Sequence, residues 1–359
     1  MKIIVGLLLS ILLSFEIYAQ HKTENIVIIT LDGFRWQEVF NGADSVLLRN
    51  EKYTENQKEL GEKFWADQVD ERRKKLLPFF WSTIASKGQL YGNRNLGNLV
   101  NVANPYQFSY PGYNEIFTGY PDTAVNSNDK ILNKNENVLE FLNKQKAYQG
   151  RVAAFSSWDV FPYILNEERS KIYVNSGIEP IREKGNEFDL LNEMLATTYK
   201  LVGDDVRPDL LTFFSAKEYL IKKQLKVLYI AFDETDDFAH AGKYDMYLRA
   251  AHMEDKMIGD LWNYMQNKPA YAGKTTFVIL CDHGRGDKIK DNWRDHGKEI
   301  AESGQIWIAV IGPDTPARGE MKTSQQLYQK QIAPTLASLL GFEFKPMHGS
   351  EIISTITSK

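Results

Sequence analysis

The chain has 359 residues, 43% hydrophobic and 25% charged, with one cysteine and a formal net charge of -4 from 43 basic and 47 acidic side chains. This composition excludes a disordered chain, a collagen and a disulfide scaffold, and a single thiol excludes both an internal disulfide and a zinc site built from several thiolates. No basic excess is available to neutralise a phosphate backbone, so duplex nucleic acid is not an expected partner.

The first element is a leader. Lys2 precedes an apolar run over residues 3–15, and Ala19 precedes Gln20. This is the pattern of a secretory signal peptide, residues 1–19, cut after Ala19. The run is shorter than the ~20 apolar residues that a spanning helix needs. The only cysteine, Cys281, is far from the cut, which closes the route to a lipid-modified start. The expectation is a periplasmic or secreted protein with no membrane span. Loss of 1–19 removes Lys2 and Glu16, so the net charge is unchanged.

Apolar runs follow at 26–31, 152–155, 227–232, 275–281 and 306–311. They are nearly continuous and rich in β-branched and aromatic residues, as strands buried on both faces of a mostly parallel sheet require. Helical patterns at 137–146, 187–200, 209–223, 246–266 and 324–340 lie between and after them. The alternation predicts an α/β fold, a mostly parallel central sheet with helices on both faces. Residues 41–97 are rich in charge and aromatics with few strand signals, and are expected to form a cap-like insertion over one end of the sheet. No Gly/Ser- or Pro-rich linker divides the chain, so 20–359 is expected to be one domain.

Three of the apolar runs lead into acidic residues and histidines. The first ends at Asp32-Gly33, the third leads to Asp236 and His240, and the fourth ends at Asp282-His283-Gly284. Ligands of open α/β sheets bind beyond the carboxyl ends of strands. Three carboxylates gathered there repel one another unless cations compensate them. Asp236 and His240, four residues apart, share one face of a helix and suit a zinc-like ion; a capping Asp and an incidental His fit the same spacing. His296 follows in WRDHG. The candidate ligand set is therefore Asp32, Asp236, Asp282, His240, His283 and His296. Ser109, in FSYPGYNEIFTGYPD, stands at the entry to a helix. A hydroxyl there is either a nucleophile helped by the helix dipole or a helix cap.

The order Asp, Ser, Asp-x-x-x-His, Asp-His-Gly, His resembles the alkaline phosphatase superfamily, and most closely its type I phosphodiesterase/nucleotide pyrophosphatase branch. VIITLDGFR resembles the first-strand motif ending in a metal-binding Asp, here Asp32. FSYPGYNEIFTGYPD resembles the nucleophile motif and places Ser109 at the nucleophile. DDFAH, ILCDHGRG and RDHG match the remaining metal motifs, and QIAPTLASLLG resembles a helix near the end of such chains. The resemblance runs from about residue 25 to 350. It implies two divalent ions, zinc being usual, one held by Asp236, His240 and His296 and the other by Asp32, Asp282 and His283, with Ser109 bridging. It implies a phosphoseryl intermediate and an asparagine near the phosphate, Asn126 or preferably Asn128.

Departures narrow the branch. Ser109-Tyr-Pro-Gly-Tyr lacks the arginine of the sulfatase motif. Where some periplasmic phosphomonoesterases carry Lys-Asp-Arg, this chain has Trp158-Asp159-Val160. Loss of two cations suits a diester better than a monoester dianion. Trp158 suits stacking on a nucleobase or an apolar ester group, or simple core packing. Arg35 and Arg285, beside metal motifs, are the cations nearest to hand as replacements. The expected activity is metal-dependent hydrolysis of a small phosphodiester or pyrophosphate. The alternatives are a phosphomonoesterase or phosphonate hydrolase on the same scaffold, and a metal-stabilised binding protein.

Overall fold

The computed structural model describes residues 21–198 and 205–357. The leader predicted at 1–19 lies outside the described residues. The strands are β1 (Asn25–Leu31), β2 (Gln89–Tyr91), β3 (Asn98–Asn101), β4 (Val152–Ser156), β5 (Tyr173–Ser176), β6 (Val227–Phe232), β7 (Thr275–Leu280), β8 (Gln305–Ile306), β9 (Ile308–Ile311), β10 (Gly319–Glu320) and β11 (Gln325–Tyr328). Eight of them form one sheet in the order β10-β2-β9-β7-β1-β6-β4-β5, and β11-β3-β8 form a second. In the large sheet β9 runs antiparallel to β2 and β7; the other pairings are parallel. Every residue of β1, β6 and β7 is buried. That accounts for their unbroken apolar runs, since strands covered on both faces have no solvent side to mark with polar residues.

Helices cover both faces. Tyr229 of β6 meets Phe117 of the Ser109–Thr118 helix. Its neighbour Ile230 points to the other face, in register with Phe155 of β4. Phe155 there meets Tyr219 of the Asp209–Lys223 helix. Among the described residues no helix is long and apolar enough to cross a membrane.

Three expectations need correction. The run 306–311 is two strands in two sheets, interrupted at Trp307, whose buried indole donates to Phe34 O at 2.8 Å. Residues 324–340 are not one helix. Gln325–Tyr328 pairs in parallel with β3, and the helix is Ile332–Leu339. Pro334 accounts for the later start, being tolerated in the first turn of a helix and not in its interior. The stretch 41–97 is only partly separate from the core. Its helices Ser45–Leu48, Gln57–Phe64 and Val69–Leu76 stand outside the sheet, but β2 lies within it, between β10 and β9. A three-residue strand is too short to show a period in sequence.

Candidate active site

The ends of β7, β1 and β6 lie side by side in register. Thr30 is level with Leu280, and Leu31 is level with Phe232. One step further, Asp32 stands between Asp282 and Asp233. Asp32, Asp282 and His283 form one buried cluster, with one ligand atom from each, all within 4.8 Å of one another. Asp236, His240 and His296 form a second cluster under the same limit. The His283 and His296 rings stack between the clusters, centroids 3.8 Å apart.

Local backbone makes this convergence possible. Gly33 follows Asp32 at φ +56°, and a Cβ there would lie 2.7 Å from Arg285 Nε and 2.8 Å from Asp236 Oδ1. A side chain at this position would hold the β1 and β6 ends apart. Asp236 and His240 lie on the Glu234–His240 helix that starts beyond β6. His283 Nδ1 lies 3.0 Å from Gly284 O, so that a proton on Nδ1 is engaged there and Nε2 faces the cluster. Tyr113 OH donates to Asp32 Oδ2 at 2.7 Å, which orients that carboxylate.

The atoms at the centre fit a divalent ion. Asp32 Oδ1 and Asp282 Oδ2 are buried and accept no satisfactory hydrogen bond. They lie 3.3 and 3.5 Å from His283 Nε2. In the other cluster His240 Nε2 is 3.0 Å from His296 Nε2 and 3.2 Å from Asp236 Oδ2. Two imidazole nitrogens and a carboxylate aimed at one point are the donor set of a borderline cation. The charges are out of balance without one. Burial and then neighbouring Asp32 push Asp282 up to about 8. Burial opposes a charge on His283, yet Asp282 and Asp32 hold it at about 9. Burial, and then His283, lower His240 and His296.

Ser109 is the first residue of its helix, which is capped by Phe108 without a side-chain hydrogen bond. Its Oγ lies 3.3 Å from His283 Nε2. Gly112, on the next turn, packs against the Asp282 backbone; a Cβ would sit 2.6 Å from Asp282 O. The glycine of SYPG is thus what lets the serine approach the Asp282–His283 cluster. Asn128 Oδ1 accepts from Tyr110 N at 3.0 Å and so holds the helix start from outside.

Ser109 opens on a basin of about 570 Å³ lined also by Asn128, Lys130, Trp158, Asp236, His240 and His296. Asn126 lines a separate cavity beside Tyr110, so Asn128 is the asparagine at the basin. Trp158 is both packed and at the wall: its indole donates to Asp205 at 3.1 Å and meets Phe161 edge-on. No residue of 41–97 lines the basin; the wall comes from 128–130, Trp158, Val160, 205–206 and the segment after β6.

Neither arginine proposed as a substitute cation faces the basin. Arg285 is bound to Asp236 and to Arg294 O, and Arg35 to Glu38 and Gly286 O; both guanidiniums are buried. Burial left each with a carboxylate to neutralise rather than a ligand to meet. Removing Glu38 would strand the Arg35 charge. Glu38→Ala is therefore expected to cost about 3–5 kcal/mol in chemical denaturation, with no change in metal content.

Among the described residues the cation that does line the basin is Lys130, paired to Asp159 at 2.7 Å. It escaped the sequence reading although it follows Asn128 by two positions. Asp233 escaped as well. The rule that picked out Asp32, a residue directly after a strand, applies to it equally.

No protein-family model and no curated protein matches the chain. Solved structures do. The alkaline phosphatase PafA aligns over 94% of this chain and 99% of its own, at 11% identity and a TM-score of 0.62. The lipoteichoic acid synthase LtaP from Listeria monocytogenes aligns over 94% and 77%, at 13% identity and a TM-score of 0.60. A protein in the alkaline phosphatase superfamily from Vibrio parahaemolyticus aligns over 92% and 70%, at 14% identity and a TM-score of 0.51. The central sheet and its helical layers thus share the overall fold of these solved structures, an alkaline phosphatase-like fold.

Proposed function

We propose that the chain is an exported phosphoric ester hydrolase that acts on a small phosphodiester or pyrophosphate through Ser109. One observation carries the reading. Ser109 Oγ stands at a helix N-terminus, 3.3 Å from His283 of one ligand cluster and on the basin floor beside the other cluster. Asp32, Asp282 and His283 would hold one divalent ion and Asp236, His240 and His296 the second, zinc by donor type. Such ions supply Lewis-acid charge to a phosphoryl group. The chain's own atoms do the rest. Ser109 Oγ attacks phosphorus, the ester alcohol leaves, and water then cleaves the phosphoserine. The Asn128 amide, its oxygen already engaged by Tyr110, offers its N–H2 to a phosphoryl oxygen. Trp158 offers a ring to the ester group.

The wall favours a diester over a monoester dianion. Among the described residues its single Lys or Arg, Lys130, is already paired with Asp159. The phosphomonoesterase reading rests on that same lysine turning toward substrate. The superfamily fold includes phosphatases and sulfatases among its solved members, so three substrates separate the readings. On zinc-loaded protein, bis-p-nitrophenyl phosphate is expected to be cleaved at least tenfold faster than p-nitrophenyl phosphate. p-Nitrophenyl sulfate is expected to be slower still, and all activity to disappear on chelation. A faster monoester would move the substrate class. Hydrolysis that survives chelation would overturn the two-metal reading.

A further inference from the structure

The basin carries more carboxyl groups than two metal sites need. Among the described residues Asp129, Asp205, Asp233, Asp236 and Asp237 line it, against Lys130 alone. Asp236 belongs to a ligand cluster. The other four carboxylates do not. Three of them, Asp233, Asp237 and Asp205, stand in the wall with Trp158.

Asp233 and Asp237 lie four residues apart, one turn above the other at the start of the Glu234–His240 helix. Their column runs beside the Asp236–His240 column that faces the ligand cluster. Asp233 is only 7% exposed, yet it lines the basin. Among the described residues neither Asp233 nor Asp237 has a side-chain hydrogen-bond donor or an ion-pair partner. A carboxylate held dry and unpartnered costs several kcal/mol unless a cation meets it. The Asp237 side is bounded by Asp205, whose Oδ2 accepts from the Trp158 indole at 3.1 Å. That hydrogen bond fixes the ring at the wall and increases its electron density. Carboxylates beside an aromatic face form a recognition surface for an ammonium group.

We propose that Asp233, Asp237, Asp205 and Trp158 form a subsite for an ammonium group carried on the alcohol side of the phosphate ester. The proposal rests on the phosphate-ester reading for the word ester, and on the wall itself for the word ammonium. It narrows the substrate class. A nucleoside polyphosphate brings several negative charges to four surplus carboxylates and is repelled. An aminoalkyl phosphodiester is neutral overall, and places its anion at Ser109 and its cation at the wall.

Binding of two isosteres to zinc-loaded protein, read by calorimetry, tests this without turnover. Choline carries the charge, and 3,3-dimethylbutan-1-ol has the same shape without it. Choline is expected to bind at least tenfold tighter than the alcohol. The preference is expected to vanish in Asp237→Asn and to shrink in Asp205→Asn, with zinc content unchanged in both. Asp205 is exposed, so its variant keeps the test decisive even where Asp237→Asn does not fold. Equal binding of the two isosteres would overturn the subsite. So would a preference untouched by the variants, or a third divalent ion per chain that is lost in Asp237→Asn. Diester hydrolysis without a choline preference would sink the subsite alone. A choline preference in a protein that cleaves no phosphate ester would leave the subsite standing and remove the hydrolase reading.

Discussion

Ser109→Ala is expected to lower hydrolysis of bis-p-nitrophenyl phosphate by at least about a thousandfold, the scale seen when an enzyme loses its nucleophile. The structure separates this from a folding defect. Phe108, not Ser109, is the cap residue, and no side chain caps the helix. Tyr110 N is met by Asn128, so the helix start keeps its partner in the variant. Removing one hydroxyl that makes no capping bond is expected to change stability by no more than about 0.5 kcal/mol. The thermal midpoint and zinc content of the variant should therefore match those of the wild type. Activity retained in Ser109→Ala would return the residue to an ordinary helix position, and with it the phosphoserine step would fall.

Asp282→Asn is expected to remove one of two bound ions. Asp282 sits at the centre of the buried cluster, its Oδ2 accepting no hydrogen bond and its Oδ1 held by Gly33 N at 3.1 Å. Loss of that charge is expected to lower affinity at this site by at least about a hundredfold. Metal analysis after gel filtration should fall from two zinc ions per chain to one. The pH dependence carries a sign that can be checked. Asp282 is raised from 3.8 to about 8 and His283 from 6.5 to about 9 when no ion is bound. At pH 7 both hold protons in the metal-free protein, and protons compete with the ion for the same atoms. Zinc binding at pH 7 should release protons, and affinity should rise as pH increases toward 9, by up to about tenfold per unit for each proton displaced. The stability of the metal-free protein runs the other way. A raised pKa favours the folded state while the group is protonated. That contribution is complete below pH 3.8 for Asp282 and 6.5 for His283, and is lost as pH rises through 8 and 9. Denaturation of chelated protein across this range should show stability falling, and zinc should cancel the fall. Flat stability in the chelated protein would mean that the cluster does not hold the protons favoured by burial at Asp282 and by the neighbouring carboxylates at His283.

The features that could be read early share a physical cause. β1, β6 and β7 are dry on both faces, so their apolar runs are unbroken, and Asp32 and, beyond Cys281, Asp282 sharply mark the ends of β1 and β7. The Asp209–Lys223 helix has a period long enough to carry its own boundaries. The short strands were not legible. β2, β3 and β10 are two to four residues long and owe their existence to neighbours far away in sequence, β2 to β9 and β3 to β8. The break at Trp307 has the same character: six apolar residues in a row do not say which sheet each half will join.

Sequence by itself determined the central parallel strands, the chemistry of six candidate ligands and a serine at a helix start, because each depends on local period or on residue type. Only the tertiary structure decided which charges face the substrate. Arg35 and Arg285 turned inward because buried carboxylates, Glu38 and Asp236, were there to neutralise them. Lys130, Asp205, Asp233 and Asp237 came to the basin because parallel register and two distant loops placed them there. Charge is read from composition, but the direction in which a charge points is set by the partners that folding brings within reach.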